Sequence, residues 1–150
     1  MQAFRIVKER HVLTAFSGDG ARAYGGRWNR PGIPMVYAAQ TRALAALEAL
    51  AHYAGAERRI RFVTFAIDVP DTLVMRLAAT DLPADWRREE PSASTQDLGS
   101  GWQLRGDSVA LLVPSAVIPQ ESCLLLNPDH PDTRKVMVGY PEPFRFDDRF

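Results

Sequence analysis

Residues 25–50 read GGRWNRPGIPMVYAAQTRALAALEAL, and a single carboxylate, Glu48, stands in the alanine- and leucine-rich second half of this stretch. Between Arg42 and Glu57 no other side chain carries a formal charge. A helix that faces solvent normally scatters several charges over its polar side. The carboxylate of Glu48 therefore needs either a partner or a chemical role.

The local sequence predicts three elements around Glu48. Residues Ser17 to Pro34 are rich in Gly, Asn, Pro and Arg, a composition typical of a long shaped loop and not of a regular element. Met35 to Ala38 predicts a brief strand. Thr41 is the expected N-cap of a helix from Arg42 to Ala54, which Gly55 ends.

At about 100° per residue, the apolar face of this helix contains several residues, with Glu48 at its edge. The predicted face consists of Ala43, Leu44, Leu47, Leu50, Ala51 and Ala54. The remaining positions are largely alanine, which predicts packing on more than one side and a Glu48 that faces a crevice.

The rest of the chain predicts an α+β domain with antiparallel or split sheets, many short strands and two or three helices. Phe4 and Ile6 belong to a first strand that places Arg5 on the opposite face. Further strands are predicted at Arg61 to Val69, Val109 to Val113, Cys123 to Leu126 and Val136 to Tyr140. Ser92 to Gly101 is expected to be a linker-like loop that leads into a short packed helix at Trp102 and Leu104.

Length and charge restrict the classes of function. A chain of 150 residues fits one domain over residues 1–150 with its own core. The 18 basic and 18 acidic residues cancel, which argues against nonspecific nucleic-acid binding and favours a small or locally recognised ligand. Cys123 is the only cysteine, so we expect no disulfide, no zinc site and a cytoplasmic protein. No apolar run is long enough to span a membrane.

Four side chains are candidates for chemistry, and each has a structural alternative. Arg27 in GGRWN offers a planar fork for a phosphate or carboxylate, or it caps a helix or stacks on Trp28. Tyr37 is either a site residue or a core residue whose hydroxyl reaches solvent. Ser115 reaches a ligand or caps backbone groups. Glu48 has a chemical role or forms an ion pair with an arginine, Arg5 or Arg27. The G-x-S-x-G, GxGxxG and GxxxxGKS patterns are absent.

Read together, GGRWNRPGIPMVYAAQTRALAALEAL and LLVPSAVIPQESCLLLNPDHPD make the chain resemble the RES-domain family, the toxins that pair with Xre-type antitoxins in bacteria. The family is named for an arginine, a glutamate and a serine, which correspond by motif to Arg27, Glu48 and Ser115. Tyr37 and the Leu126–Pro128 segment also match. Cys123 is a departure, because the resemblance leads us to expect asparagine there.

The resemblance implies an ADP-ribosyltransferase-like fold, a split mixed sheet with a few packed helices and a cleft for NAD⁺. It implies a toxin that degrades NAD⁺ at the nicotinamide–ribose bond, as a glycohydrolase or phosphorylase, and so arrests growth. NAD⁺ is then the substrate, and no prosthetic group or metal is expected. Arg27, Tyr37, Glu48 and Ser115 are the expected catalytic residues. The expected substrate-binding residues are Arg5, Trp28, Asn29 and Asn127.

The resemblance also implies partners. An Xre-family helix-turn-helix antitoxin is expected to cover the active site, with a possible homodimer inside the complex, and neither nucleic acid nor a membrane is an expected direct partner. The group that attacks the ribose is open: water, inorganic phosphate or a protein side chain. For a protein acceptor, the expected recognition loop is Asp81 to Ser100. The alternatives are a mono-ADP-ribosyltransferase and a catalytically silent module that only recruits its partner.

Overall fold

A mixed sheet of eight strands runs through the protein in the computed structural model, which describes residues 1–150. Its strand order is β4-β5-β6-β2-β1-β3-β7, and β8 pairs with β3 beside β7. Only the pairing of β4 with β5 is parallel. The strands are β1 (Gln2–Lys8), β2 (Val36–Ala39), β3 (Phe62–Asp68), β4 (Val74–Arg76), β5 (Ala110–Pro114), β6 (Ser122–Leu126), β7 (Met137–Val138) and β8 (Glu142–Phe144).

Three α-helices and several short 3-10 turns connect the strands. The helices are α1 (Asp19–Tyr24), α2 (Arg42–His52) and α3 (Ala93–Arg105). The 3-10 turns are Glu9–Thr14, Gly55–Arg59, Asp71–Leu73, Ala79–Asp81 and Pro131–Lys135. None of the helices combines the length and the apolar content that crossing a membrane requires. The predicted class, a mixed α+β fold with few helices, is confirmed.

The two faces of the sheet carry different clusters because side chains alternate along each strand. On β1, Phe4 and Ile6 lie on one face, which we call the site face, and Arg5 lies on the other, as the sequence predicts. Helices α2 and α3 contribute to the core of the site face. This core consists of Phe4, Trp28, Met35, Ala39, Leu44, Ala45, Trp102, Leu111, Val113, Cys123 and Leu125.

Two segments that the sequence predicts as loops contain helices. Residues 17–34 include α1, which is bounded by Gly18 and Gly25, both with φ near 75°. Glycine adopts these left-handed angles without the Cβ penalty, so the two glycines mark the ends of a helix and not a continuous loop. The predicted linker Ser92 to Gly101 is almost entirely part of α3. Its small residues pack closely against the chain, which explains a composition that looks like a linker.

Helix α2 begins as predicted and differs in its end and in its buried face. The Thr41 side chain accepts a hydrogen bond from the backbone N–H of Leu44 at 3.0 Å, so Thr41 is the N-cap. The helix ends at His52, two residues before the predicted end. Its buried residues are Leu44, Ala45 and Ala49, whereas Ala43, Leu47 and Ala51 of the predicted face are exposed. The prediction of packing on several sides is therefore wrong, and Glu48 lies beside the buried stripe.

The remaining strands differ from prediction mainly at the edges of the sheet. The predicted strand Val136 to Tyr140 is reduced to the two residues of β7. Strands β4 and β8, three residues each, were not predicted. Such short segments carry too few alternating residues to produce a recognisable pattern, and their strand character depends on the neighbour with which they pair.

Candidate active site

Glu48 receives two hydrogen bonds on one carboxylate oxygen. The hydroxyl of Ser115 donates to Oε1 at 2.6 Å, and the thiol of Cys123 donates to the same oxygen at 3.3 Å. The second oxygen, Oε2, makes no hydrogen bond to the chain, and the side chain is half-buried. The carboxylate is therefore fixed through one oxygen while the other remains available to a ligand.

The sheet brings these three side chains together from distant parts of the sequence. Cys123 stands on β6 opposite Ala39 of β2 and Val113 of β5. Ser115 follows β5 directly, and its backbone N–H donates to the carbonyl of Glu121 at 2.9 Å, which closes the turn between β5 and β6. Helix α2 then places Glu48 over this turn. The site thus depends on β5–β6 pairing and on the helix start at the N-cap.

Of the two roles that the sequence left open for Ser115, the structure shows backbone capping. It is 1% exposed, and its hydroxyl accepts the backbone N–H groups of Val117 and Ile118 at 3.1 and 3.0 Å. The hydroxyl has only one proton, and that proton points to Glu48. Ser115 therefore caps its own turn and orients the carboxylate.

No cation neutralises Glu48. The alternative that pairs it with Arg5 or Arg27 is not found, because both guanidinium groups donate to backbone carbonyls instead. The salt bridges of the chain all involve other carboxylates. Two neutral donors thus hold the Glu48 charge, and its negative field is preserved for whatever binds at Oε2.

Tyr37, Trp28 and Asn29 form one hydrogen-bonded unit. The Tyr37 hydroxyl donates to Oδ1 of Asn29 at 2.6 Å and accepts the backbone N–H of Trp28 at 3.0 Å. Burial raises the pKa of Tyr37 far above its ordinary value, although the Trp28 N–H acts in the opposite direction. The phenol is therefore a neutral donor, and it fixes the loop that carries Arg27.

Asn29 and Trp28 are both buried, at 0% and 3% exposure. The amide of Asn29 donates to the carbonyls of Ala21, Arg30 and Ile33 at 2.8 to 3.1 Å, so both of its N–H groups are used within the loop. The two side chains lie next to Tyr37 as predicted for a common site, but they face the protein interior. Both residues therefore shape the loop that carries Arg27.

Arg27 contacts a segment that precedes α3. Its Nη1 donates to the carbonyls of Trp86 and Arg88 at 2.9 and 2.7 Å, and its Nη2 lies 3.5 Å from the carbonyl of Glu89. Its Nε makes no hydrogen bond to the chain. The guanidinium therefore holds this segment with Nη1 and with one N–H of Nη2, while the N–H of Nε and the second N–H of Nη2 can still face an anion side-on.

Arg5 and Asn127 do not join this group. Arg5 lies on the opposite face, where Nε donates to the carbonyl of Ala15 at 2.7 Å and Nη1 to the carbonyl of Tyr37 at 2.6 Å. Burial lowers the pKa of Arg5 to about 10. Asn127 is 1% exposed, and its amide binds the carbonyl of Gln103 at 3.0 Å. Both side chains brace the backbone around the site.

Sequence reasoning missed two features of the site. The sequence marks Cys123 only as a departure from an expected asparagine, yet it donates to Glu48, and burial followed by the Glu48 charge raises its pKa so that it remains a thiol. The contact of Arg27 with residues 86–89 was also missed, because backbone carbonyls carry no sequence signal. The departure at Cys123 was the only available hint. No group of three or more His, Cys, Asp or Glu side chains is placed to hold a metal ion.

The chain is similar along nearly its whole length to known proteins. A protein named "Toxin Res" from Yersinia enterocolitica serotype O:8 / biotype 1B is 38% identical over 150 residues, covering 99% of both chains. A second "Toxin Res", from Photorhabdus laumondii, is 39% identical and covers 90% of this chain and 86% of its own. A "Prs ADP-ribosylating toxin" from Sphingobium sp. is 38% identical and covers 97% of this chain and 94% of its own.

A solved structure shares the fold. A chain in the crystal structure of the M. tuberculosis MbcT–MbcA toxin–antitoxin complex superposes with a TM-score of 0.77, covering 96% of this chain and 84% of that chain. The two are 22% identical, so this likeness shows the fold alone. The family model described as "RES domain" matches residues 2–147. Since that match includes Arg27, Glu48 and Ser115 and the relatives cover the same length, the chain belongs to the RES-domain family.

Proposed function

We propose that the protein is the toxin of a bacterial toxin–antitoxin pair and that it arrests growth by cleaving NAD⁺ between nicotinamide and ribose. The observation that carries this proposal is the carboxylate of Glu48, fixed through Oε1 by Ser115 and Cys123 and free at Oε2. The names of the relatives and of the complex with the same fold support the toxin assignment.

The chemistry of NAD⁺ cleavage fits a single oriented carboxylate. Breaking the bond from nicotinamide to ribose C1′ generates an oxocarbenium-like transition state, and the nicotinamide leaves neutral because it was cationic in the substrate. No general acid is needed for that step. Oε2 of Glu48 would accept hydrogen bonds from the ribose hydroxyls and stabilise the developing positive charge, and water or inorganic phosphate would then bond to C1′.

Arg27 and Tyr37 would bind the substrate from the neighbouring loop. The Nε N–H of Arg27, which has no partner in the chain, and the second N–H of Nη2 match two oxygens of a pyrophosphate or a pair of ribose oxygens. The Tyr37 hydroxyl is engaged with Asn29 and Trp28, so its ring is the part that remains for packing against nicotinamide or ribose. Partial burial lowers the local dielectric, which strengthens the electrostatic contacts of Glu48 and Arg27 with the substrate.

Transfer of ADP-ribose to a protein is the second candidate, and the name of the Sphingobium relative favours it. The same bond would break, and a protein side chain would take the place of water at C1′. Only part of the expected recognition loop remains available for an acceptor, because residues from Ala93 onward form α3. The site described above serves either acceptor equally well.

The proposed partner is an antitoxin of the Xre family that covers the site in the cytoplasm, with a possible toxin dimer in the complex. The crystal structure with the same fold is itself a toxin–antitoxin complex. An antitoxin seated over Glu48 would compete with NAD⁺, so saturating NAD⁺ would weaken antitoxin binding to the toxin. Equal antitoxin affinity with and without NAD⁺ would contradict this arrangement.

The deciding experiment follows nicotinamide release from NAD⁺ by proton NMR, with and without inorganic phosphate. We expect the wild-type protein to release nicotinamide and Glu48→Gln to be slower by about 10²-fold or more, because the neutral amide cannot stabilise the oxocarbenium charge. Glu9→Gln, which removes an exposed carboxylate, is the matched control and should leave the rate unchanged. Dependence on phosphate would identify a phosphorylase, and release without it a glycohydrolase.

Two results would contradict NAD⁺ degradation. Absence of nicotinamide release by the folded wild-type protein under both conditions would exclude it, and labelled ADP-ribose appearing on a cellular protein would then support transfer. The Glu48→Gln variant could instead lose activity only in proportion to its unfolded fraction. Glu48 would then have a structural role, which is what the alternative of a catalytically silent partner-binding module predicts.

A further inference from the structure

Residues 82–92, which we call the strap, connect the turn at Ala79–Asp81 to helix α3 and are fastened on two sides. On one side Arg27 donates to the carbonyls of Trp86 and Arg88. On the other side the strap's own Arg87 donates from Nε to the carbonyl of Ala116 at 2.9 Å. The strap therefore spans from the loop that carries Arg27 to the turn that carries Ser115.

The strap also packs on the core beneath the site. Leu82 and Trp86 lie against the same apolar cluster as Tyr37 and Ile118, which flank the two loops that the strap joins. In the first turn of α3, Oγ of Ser94 donates to the Asp85 carboxylate of the strap at 2.5 Å, which ties the strap to the helix. Apart from these fastenings, most of residues 84–91 are exposed. Few buried contacts would have to break for the strap to lift.

The fastening at Arg27 links the strap to the ligand. Arg27 holds the strap through Nη1 and, at 3.5 Å, through one N–H of Nη2, which leaves the N–H of Nε and the second N–H of Nη2 for an anion. The orientation of this fork is thus set by the position of the carbonyls of residues 86 and 88. A strap that loosens would free the guanidinium to rotate, and the bidentate geometry would be lost.

We propose that the strap is a lid closed over the Glu48 site and that Arg87 is a positioning residue that keeps it closed through the Ala116 carbonyl. With the lid closed, Arg27 is set to receive the anionic part of the substrate. The identity of the substrate as NAD⁺ rests on the proposed function, whereas the fastening by Arg87 does not.

The test compares Arg87→Gln with Arg88→Gln. Both variants remove one exposed positive charge from adjacent positions of the strap, but only the Arg87 side chain holds the Ala116 carbonyl. Hydrogen exchange of the full chain should be about fivefold faster across residues 84–90 in Arg87→Gln than in Arg88→Gln, as expected for the loss of one hydrogen bond. Equal exchange in the two variants would overturn the fastening.

Kinetics of nicotinamide release then test the lid. We expect KM for NAD⁺ to be about fivefold higher in Arg87→Gln than in Arg88→Gln, with kcat within about twofold, because the lid sets Arg27 for binding and leaves Glu48 in place. Equal KM values would overturn the lid, whatever the exchange rates. A wild-type protein that cleaves no NAD⁺ would defeat the proposed function, and the exchange comparison would still decide whether Arg87 holds the strap.

Discussion

The carboxylate of Glu48 is held by hydroxyl and thiol groups and not by a cation, and these partners fit the proposed catalytic role. An arginine at the same distance would stabilise the folded charge more strongly, but it would also cancel the field at the second oxygen. Ser115 and Cys123 fix the orientation of the carboxylate without adding charge. A residue that must stabilise a cationic transition state requires this combination of fixed geometry and uncancelled charge.

At Tyr37 the hydroxyl is the structural part of the side chain. Tyr37→Phe leaves Oδ1 of the buried Asn29 and the backbone N–H of Trp28 without their partner, so we expect a loss of about 1–3 kcal/mol in the free energy of unfolding. Urea denaturation monitored by circular dichroism measures the loss. Tyr140→Phe removes a hydroxyl from a side chain that is 94% exposed and should change the free energy by less than about 0.5 kcal/mol. Equal stabilities of the two variants would contradict the hydrogen-bonded unit.

The sequence was sufficient to predict which residues belong to the candidate site, but not which groups those residues contact. The isolated carboxylate in ALEAL and the arginine in GGRWN were sufficient to single out Glu48 and Arg27. What Arg27 binds could not be predicted, because its acceptors are backbone carbonyls 59 to 62 residues away. The same limit applies to Asn127, whose amide binds the carbonyl of Gln103. The sequence gives the chemistry of each side chain directly, whereas the positions of the backbone carbonyls depend on the fold.

Among the elements, α3 lies unusually close to the loop that carries Arg27. A Cβ atom at Gly99 would stand 1.9 Å from the carbonyl oxygen of Trp28, so Gly99→Ala must push the helix away from this loop. We expect a loss of at least about 2 kcal/mol in the free energy of unfolding, a cost typical of overpacking. Chemical denaturation measures this loss. The KM for NAD⁺ should also rise, because displacement of the helix disturbs the loop that carries Arg27.

Gly101→Ala is the matched control in the same helix. Its added Cβ would meet only Nη1 of Arg105, at 2.9 Å, and the end of a long flexible side chain can move aside. Alanine is favoured over glycine inside a helix by about 0.5–1 kcal/mol, so this variant should be at least as stable as the wild type. A Gly99→Ala variant as stable as Gly101→Ala would show that the helix does not press on Trp28.

Elements with strong periodicity or clear caps were predictable, and those formed by close packing were not. Strand β3 alternates over its full length, and α2 has a threonine cap, so both were located within about two residues of their ends. Helix α3 is rich in Ser, Thr and Gly, the composition of a flexible segment. Its helical state depends on burial of Thr95, Gly99 and Ser100 against partners that the local sequence does not reveal.

At the scale of the whole molecule, the strand order could not be derived from the sequence. Neighbours in the sheet such as β6 and β2 are separated by more than eighty residues, so the sequence shows only that strands exist, not which strands pair. That order forms the candidate site, because Cys123 of β6 and Glu48 of α2, the helix that follows β2, meet through this pairing. The site is therefore a product of topology, and unfolding removes all of it together.

Burial of Cys123 beside Glu48 predicts how the stability of the whole protein depends on alkaline pH. Burial and the Glu48 charge raise the pKa of the thiol far above its ordinary value of 9.0, so between pH 9 and 10 the unfolded chain releases this proton and the folded protein does not. The folded state then binds more protons, and the free energy of unfolding falls as pH rises, by about 1.4 kcal/mol in total between pH 8 and 10. Cys123→Ala removes this contribution, and comparison at each pH cancels the contributions shared with other groups, including Tyr37 and the N-terminus.

Urea denaturation from pH 8 to 10 should therefore give a steeper decline in the free energy of unfolding for the wild type than for Cys123→Ala. Parallel declines would mean that the thiol titrates normally and does not donate to Glu48.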